Sequence, residues 1–520
     1  MEGSLAAWTT LAERWSLASA AAADAAFLEF DQPGRDVVSW TYREFDAIVG
    51  DVRQALAARG VRRGDCIQLV LPNCPAFVAV MLAAATSGVT FLPCDPRSTA
   101  EELGRQSARV NPVLAVCGSD QAAAYGASGA AAPAVVVEPG DPTLGDLRAG
   151  GAEIADVQEV APPSPRDTLA LMFTSGTTSA PKIVELTQAN YAFAGEVMAA
   201  AAGLRAESRF LVVLPLFHAN AQYYSLAASI WVGGTVVLAN GFSASRFLEQ
   251  AERLRATHAS LFAAPIRMIL ARAQPTPLSR PLENVWFSQN LTDDEYERFA
   301  ALVGCRPRQI YGMTETAPAV LTCGRLDPPK MTVGTTTLGC HVRLRELETD
   351  APVADGATGE IQVGGFPGLS LFAGYRDNPK ATAEALVEPD DTGFAWLKTG
   401  DLGRVEPAGD VTFVGRGGDM LKVAGENVSV VEVESLIVEH EGVRDAAVVG
   451  VADPVRDEVP IAFVVAADGA SDTLVEDLMA WCHDRLSGPR RPAEIHVVDE
   501  LPRTAVGKIQ RFRLAAPRRG

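Results

Sequence analysis

The sequence is poor in positive charge. Its 520 residues contain 45 Lys and Arg against 64 Asp and Glu, which gives a net charge of −19 at pH 7. This acidic balance argues against nucleic acid or an anionic membrane surface as the main partner, because both would repel the protein. Local basic pockets for phosphates are still compatible with it.

Long apolar segments are also missing. The most apolar run, AFVAVMLAAATSGVTFL at residues 76–92, is interrupted by Thr86, Ser87 and Gly88 and is shorter than the roughly 20 residues of a membrane-spanning helix. A buried helix followed by a strand explains it better. The first residues, MEGSLAAWTTLAERWS, contain an early acid and lack the apolar core of a signal peptide. We therefore expect a soluble, cytoplasmic protein with no membrane span.

The cysteines and histidines lack the spacing of metal or redox motifs. Eight cysteines are scattered without a CxxC pair, and His341 and His483 adjoin cysteines without metal-ligand spacing. No convincing Ser-His-Asp arrangement is present. A reduced protein with buried thiols is expected.

Helical and strand patterns alternate through the first part of the chain. Helical spacing at residues 43–60 is followed by a buried strand at 66–71, and strands recur at 209–216 and 233–240. This alternation predicts an α/β fold with mostly parallel sheets. Residues 119–166 are rich in Ala, Gly and Pro and are interpreted as a variable surface segment.

The pattern changes after residue 340. Short strands separated by turn residues lead to GRGGD at 415–419, the best hinge candidate in the chain. A compact α+β pattern of about a hundred residues follows, enough for a small independent domain. Because 520 residues are too many for one ordinary core, we predict two domains, at residues 1–416 and 417–520.

The stretch FTSGTTSAPK, at residues 173–182, combines hydroxyl residues, a glycine and a lysine after a predicted strand. Backbone N–H groups in such a loop can form an anion-binding nest, to which hydroxyls and an ammonium add donors. It is not a Walker P-loop, because Pro181 precedes Lys182 and Ile183 follows it. From these residues alone, a phosphate site and a polar surface turn are both open.

Three further stretches contain residues suited to nucleotide chemistry. QIYGMTETAP, at 309–318, places a Tyr, a Gly, a Thr and a Glu after a strand, where they could stack on a base, approach a phosphate and hold a metal. WLKTGDLGRV, at 396–405, contains Asp401, which could accept both hydroxyls of a ribose, although Gly-Asp is a common turn. LPRTAVGKIQRFRL, at 501–514, places Lys508 in a glycine-containing turn.

In this order and spacing, the four stretches resemble the superfamily of adenylate-forming enzymes, which contains acyl- and aryl-CoA synthetases, carrier-protein adenylation domains and luciferases. SWTYREFDAIVGDVRQALAARGVRRGDCIQLVLPN, PLFHANAQ and GRGGDMLKVAGENVSVVEVE also fit, so the resemblance covers nearly the whole chain. It implies an α/β fold with a large N-terminal domain of two α/β subdomains plus a small β subdomain, and a small mobile α+β C-terminal domain.

The resemblance implies roles for the residues that would meet the phosphates. Thr314 would contact the α-phosphate, Glu315 would ligate Mg²⁺, and Lys508 would bridge the substrate oxygen and the α-phosphate. The residues that would cradle the β- and γ-phosphates of ATP are Thr174, Ser175, Gly176, Thr177, Thr178 and Lys182.

The nucleoside and acceptor sites follow from the same resemblance. Tyr311 would stack on adenine, and Asp401 would hold the ribose hydroxyls, with Arg416 nearby. Gly425 would line the approach of the CoA thiol. His218, in PLFHAN, matches a residue that often lines the substrate channel in relatives, although an ordinary structural role is equally compatible.

The chain departs from the family pattern in its phosphate loop and hinge. Two usual glycines of the loop are Ser179 and Ile183 here. If Ile183 must adopt a positive φ, which β-branched residues resist, the strand after the loop must shift. Val430 stands where a proline is common, and Gly418 occupies the hinge position, where glycine frees the backbone to rotate.

The substrate loop departs too, since small residues are usual where SQNL stands at 288–291. Amides take the place of open space, and Asn220 and Gln222 are also polar. This composition predicts a small or polar substrate rather than a long acyl chain. The residues assigned to substrate binding are His218, Ser288, Gln289 and Asn290.

The leading hypothesis is an ATP-dependent acid–CoA ligase. It would form acyl-AMP with release of pyrophosphate, using Mg²⁺, and then transfer the acyl group to coenzyme A. A second hypothesis is an adenylating enzyme without CoA, which loads a carrier protein or, like ATP-dependent diazotases, activates nitrite toward an aryl amine. A third is a catalytically silent nucleotide-binding protein, supported only by Ser179 and Ile183.

Overall fold

A computed structural model describes most of the chain. The described residues are 8–148, 161–174, 182–272, 276–325, 332–347, 349–354, 356–416, 420–423, 426–453, 456–486, 488–503 and 509–514. Every helix within these ranges is too short or too polar to cross a membrane.

The first sheet is parallel through its centre and antiparallel at both edges. In order across the sheet, its strands are β15 (Thr335–Thr336), β14 (Leu321–Thr322), β13 (Arg308–Tyr311), β12 (Asn284–Ser288), β11 (His258–Phe262), β9 (Arg209–Val212), β10 (Thr235–Ala239), β1 (Ala26–Asp31) and β2 (Val38–Thr41). The carboxyl ends of β12 and β13 therefore lie side by side and carry the predicted substrate and nucleotide stretches.

The second sheet is also mostly parallel, but β8 turns back antiparallel to β7. Its strands, in order, are β18 (Gly374–Tyr375), β8 (Ile183–Thr187), β7 (Thr168–Phe173), β4 (Thr90–Pro93), β3 (Cys66–Val70), β5 (Leu114–Gly118) and β6 (Ala134–Val137). The segment 119–166 thus contributes β6 at the sheet edge, which its Ala, Gly and Pro content does not predict.

Helices pack against these two sheets and against the smaller sheets later in the chain. They are α1 (Leu11–Ala21), α2 (Tyr42–Ala58), α3 (Pro75–Ser87), α4 (Ala100–Val110), α5 (Ala122–Gly126), α6 (Gln188–Ala202), α7 (Ala227–Val232), α8 (Phe247–Arg253), α9 (Ala263–Leu270), α10 (Asp293–Val303), α11 (Pro379–Ala385), α12 (Val430–Val438) and α13 (Leu474–Arg485). The helix predicted at 43–60 is α2, which Thr41 and Glu44 cap reciprocally. The apolar run forms a helix, α3, and then β4, as predicted; α3 is buried on all sides, which explains its lack of amphipathic spacing.

The main core joins the two sheets. Helices α3 and α6 contribute buried side chains to it, including Phe77 and Tyr191, and strands of both sheets contribute Phe91 and Phe210. Apolar burial of this extent holds the carboxyl edge of the first sheet against the β7–β8 hairpin of the second.

A small antiparallel β subdomain and a C-terminal α+β part complete the molecule. The β subdomain contains β16 (His341–Arg345), β17 (Thr358–Gly365), β19 (Leu386–Val387), β20 (Ala395–Val405) and β21 (Val411–Arg416). The C-terminal part contains β22 (Met420–Val423), β23 (Glu426–Ser429), β24 (Val443–Asp453), β25 (Asp457–Ala466) and β26 (Glu494–Val497), on which α12 and α13 pack. The predicted α/β class and its smaller subdomains are confirmed.

Candidate active site

The ends of the predicted phosphate loop are held together. Thr174 follows β7 and Lys182 precedes β8, and the Thr174 backbone N–H donates to the Lys182 carbonyl over 3.0 Å. This closes a hairpin from which the loop emerges. Ser175, Gly176, Thr177, Thr178 and Ser179 lie outside the described residues, so their predicted phosphate contacts stay predictions.

Ile183 does not disturb the strand after the loop. It lies in β8 directly opposite Phe173, is 1% exposed, and its carbonyl accepts a hydrogen bond of 2.8 Å from the Arg376 backbone. The position requires extended backbone and a buried apolar side chain, which suits a β-branched residue. The shift considered in the sequence analysis is therefore not found.

Lys182 faces an aromatic ring. Its ammonium nitrogen lies 4.4 Å from the centroid of the Tyr375 ring, within the range of a cation–π interaction. Tyr375 belongs to β18, which pairs with β8 through Val184. The second sheet thus sets the lysine and the tyrosine side by side.

Glu315 is a buried carboxylate in a short 3₁₀ turn after β13. The turn spans Thr314–Thr316, and Glu315 is 4% exposed whereas Thr314 is half-buried. The Tyr375 hydroxyl donates to Glu315 Oε1 over 3.0 Å. Burial raises the pKa of Glu315, against the opposing effects of the Tyr375 hydrogen bond and the charges of Arg416 and Lys182.

The backbone after this turn is strained. Ala317 has φ 62° and ψ −82°, a conformation that L-residues rarely adopt. The Thr316 hydroxyl stabilises the turn by sharing its one hydrogen between the carbonyls of Met313 and Pro318, each 2.9 Å away. The sequence signal for this strain is absent, because alanine is not typical of positive φ.

Asp401 joins the two residues predicted to serve the nucleoside. The Tyr311 hydroxyl donates to Asp401 Oδ2 over 2.8 Å, and Arg416 Nε donates to Oδ1 over 2.9 Å. Asp401 and Arg416 are direct partners in the β20–β21 ladder, and Asp401 is 4% exposed. Burial, and then the charge of Asp401, raise the pKa of Tyr311, so this phenol is a hydrogen-bond donor at neutral pH. The Phe413 ring lies 5.9 Å from the Tyr311 ring, at 30°.

The residues around Glu315 fit Mg²⁺ bound together with a nucleotide. Among the described residues, no group of three or more His, Cys, Asp and Glu side chains could hold a metal ion without help. Mg²⁺ prefers oxygen ligands and is commonly held by one or two carboxylates plus substrate phosphates. A single buried carboxylate beside the phosphate-loop lysine suits that second mode.

The substrate loop follows β12 and is anchored from beneath. Gln309 Nε2 donates to the Gln289 carbonyl over 3.2 Å and to Asn290 Oδ1 over 3.1 Å, and Arg267 Nη2 donates to the Asn290 carbonyl over 2.9 Å. Gln289 has φ 75°, in the left-handed region that favours glycine. The loop thus keeps a backbone conformation that suits a small residue at position 289, but that position carries an amide side chain. Ser288 closes β12 and is half-buried.

His218 lies just before a π-helical turn. The turn spans Asn220–Leu226, and the His218 carbonyl accepts from the Gln222 N–H over 3.4 Å. Such turns are frequent at functional sites. The Asn220 side chain is buried, and its Oδ1 has no hydrogen-bond partner within the described parts of the chain.

Gln222 does not have the role that its polarity suggests. Its amide is fully buried, donates to the Leu216 carbonyl over 2.7 Å and accepts a short hydrogen bond from the Tyr191 hydroxyl. These bonds fix the His218 segment, so Gln222 gives no support to a polar substrate. That inference rests on the substrate loop and Asn220 instead.

Three predicted residues of the C-terminal half lie outside the described residues: Gly418, Gly425 and Lys508.

One residue of the site was missed by the sequence analysis. Tyr375 stands in an unremarkable Gly-Tyr pair, and only the fold brings it to Glu315 and Lys182.

Family models match most of the chain. A model described as AMP-binding enzyme matches residues 16–376, and one described as AMP-binding enzyme C-terminal domain matches residues 432–508. The crotonobetaine/carnitine–CoA ligase of Escherichia coli O139:H28 (strain E24377A / ETEC) is 32% identical over 499 residues, which are 93% of this chain and 94% of that relative.

Solved structures of CoA ligases share the fold. A benzoate CoA ligase from Burkholderia xenovorans LB400 has a TM-score of 0.85 at 25% identity, over 97% of this chain and 99% of that one. The o-succinylbenzoate CoA synthetase from Bacillus subtilis, in complex with its acyl-adenylate intermediate, has a TM-score of 0.82 at 26% identity, over 98% of each chain. The protein thus belongs to the AMP-binding, adenylate-forming enzyme family, as an ATP-dependent, AMP-forming acid–CoA ligase.

Proposed function

We propose that this ligase activates a small or polar carboxylic acid as acyl-AMP and passes the acyl group to coenzyme A. The observation that carries the substrate class is Gln289, an amide side chain held at φ 75° in the substrate loop. The loop cannot easily move away to admit a long chain, because Gln309 and Arg267 bind its backbone.

The first half-reaction joins two anions. The acid's carboxylate attacks the α-phosphorus of ATP, the bond to the β-phosphate breaks, and pyrophosphate leaves with its electron pair. The carboxylate is already ionised, so no general base is needed. Lys182 and the residues of the phosphate loop would neutralise the leaving pyrophosphate, and Lys508 the α-phosphate. Mg²⁺, when bound at Glu315, would supply further charge neutralisation.

The nucleoside would be held by the Tyr311, Asp401 and Arg416 group. Both Asp401 oxygens are already oriented by hydrogen bonds of 2.8 and 2.9 Å. A carboxylate oxygen can accept more than one hydrogen bond, so the ribose hydroxyls can be added without breaking either. This preorganisation supports the proposed nucleotide orientation.

The second half-reaction requires the CoA thiol to reach the acyl-AMP. We propose that the C-terminal part rotates about Gly418, which removes Lys508 from the site and brings Gly425 to it. A cytoplasmic location is part of the proposal, supported by the need for ATP and CoA. A carrier protein is the alternative acceptor.

The test is pyrophosphate release measured over a panel of acids, with and without CoA. The panel should include crotonobetaine and carnitine, after the relative's name, short and polar acids, fatty acids longer than octanoate, and nitrite. CoA-dependent AMP formation with a small or polar acid is expected. A profile that peaks at the long fatty acids would contradict the substrate class, and pyrophosphate release without thioester would contradict CoA as acceptor.

A further inference from the structure

Tyr375 contacts two charged side chains of the proposed adenylation site, Glu315 and Lys182. We propose that Tyr375 is a positioning residue that orients the Glu315 carboxylate for Mg²⁺ and the Lys182 ammonium for the phosphates of ATP. The inference depends on the roles proposed above for Glu315 and Lys182.

The hydroxyl of Tyr375 acts on Glu315. It donates to Oε1 over 3.0 Å, and both side chains are buried, with 8% and 4% exposure. A hydrogen bond to a buried ionised carboxylate fixes the rotation of the carboxyl group and stabilises its charged form. Only the charged form is a good ligand for a hard cation.

The ring of Tyr375 acts on Lys182. The ammonium lies 4.4 Å from the ring centroid, where the negative face of the ring attracts it. The lysine ammonium is a point charge at the end of a flexible four-carbon side chain. A fixed ring therefore holds the Lys182 ammonium on one side of the end of the phosphate loop before ATP binds.

Tyr375 is itself held by rigid structure. Its backbone pairs with Val184 of β8, its N–H donates to Thr382 Oγ1 over 2.9 Å, and its ring lies 4.9 Å from the ring of Phe372. Gly374 before it has φ 150°, and a Cβ there would meet Thr382 at 3.1 Å. A residue placed so firmly can transmit its position to flexible neighbours.

Binding of α,β-methylene-ATP, which cannot be cleaved between the α- and β-phosphates, separates the two contacts. Calorimetry with Mg²⁺ or EDTA gives the factor by which the metal tightens binding. Tyr375→Phe keeps the ring, so we expect the nucleotide to bind as tightly in EDTA as it does to the parent. The factor by which Mg²⁺ tightens binding should fall roughly 10- to 100-fold, because the variant loses the hydrogen bond to the Glu315 carboxylate. Tyr375→Leu should in addition bind severalfold more weakly in EDTA, because the cation–π contact is lost.

Two further variants make the outcome decisive. Tyr42→Phe removes another buried hydroxyl, which donates to the Gly234 carbonyl over 2.8 Å, and we expect this variant to bind like the parent. Glu315→Gln should lose the metal factor. If Glu315→Gln loses it while Tyr375→Phe keeps it, the role of Tyr375 is overturned. If Glu315→Gln also keeps it, the proposed metal role of Glu315 fails, and the inference fails with it.

Discussion

The burial of Glu315 sets its proposed role as a metal ligand against the stability of the fold. Burial raises the pKa of this carboxyl above its ordinary value of 4.5, so the folded protein favours the protonated form more than the unfolded chain does. The resulting stability is present at low pH and is lost as pH rises through the folded-state pKa. Once the pH is high enough to ionise Glu315, the fold therefore carries a buried charge that it would hold more easily as the neutral acid.

We predict that Glu315→Gln stabilises the metal-free protein more at pH 8 than at pH 5, while it slows adenylation by roughly 100- to 1000-fold. The glutamine amide can still accept from Tyr375 but carries no charge. Thermal melting at the two pH values, in EDTA, and pyrophosphate release at saturating Mg²⁺ are the measurements. Glu432→Gln, which breaks an exposed ion pair with Arg490, is the control and should change neither. An equal stability change at both pH values would refute the burial argument.

At the scale of an element, the loop after β12 likewise sets its proposed function against stability. The backbone at Gln289 is in the left-handed region, where a non-glycine residue lowers the stability of the fold by about 1–2 kcal/mol. Gln309 and Arg267 keep the loop in this shape whatever side chain stands there, because they bind its backbone carbonyls. The amide can therefore be replaced without moving the loop.

We predict that Gln289→Gly leaves the fold unchanged or stabilises it by at most about 1 kcal/mol, since relief of strain is partly offset by chain entropy. It should also raise kcat/KM for bulkier acids relative to small ones by roughly tenfold or more. Denaturant unfolding and the acid panel test both parts. Gln289→Ala is the matched control, which widens the pocket but keeps the strain. Unchanged acid preference in both variants would show that Gln289 does not limit the substrate.

The elements themselves could largely be predicted from the sequence, because apolar spacing and caps are local signals. Helix α2 lies where its periodicity and Thr41 cap place it, and β7 and β8 flank the predicted loop. Tyr375 could not be found in this way, since its meaning depends on pairing with β8 and on a turn 60 residues away. The prediction for Gln222 was wrong for a related reason. In the sequence, a buried amide whose hydrogen bonds are made within the protein cannot be distinguished from one that faces a ligand.

At the scale of the whole molecule, the two predicted domains have separate cores. The apolar side chains of the C-terminal part pack with one another in clusters drawn from residues beyond 420. The Ser429 hydroxyl, at the start of α12, donates to the Val414 carbonyl in β21 over 2.7 Å. A part with its own core, joined to its neighbour by such a hydrogen bond, can rotate without opening either core. The boundary between residues 416 and 417 stays a prediction, since residues 417–419 lie outside the described ones.

Such rotation predicts that one variant can separate the two half-reactions. Lys508→Ala should slow acyl-AMP formation by roughly 100- to 1000-fold, because one cation is lost from the α-phosphate, while thioester formation from supplied acyl-AMP and CoA stays at the parental rate. Each half-reaction is measured alone, by pyrophosphate release and by thioester appearance. Lys380→Ala is the control, since that lysine is 88% exposed and 3.9 Å from Glu384. If both half-reactions fall together, Lys508 serves one fixed site and the two-pose mechanism is wrong. If only the first falls, Lys508 is needed for adenylation alone, as a rotating C-terminal part predicts.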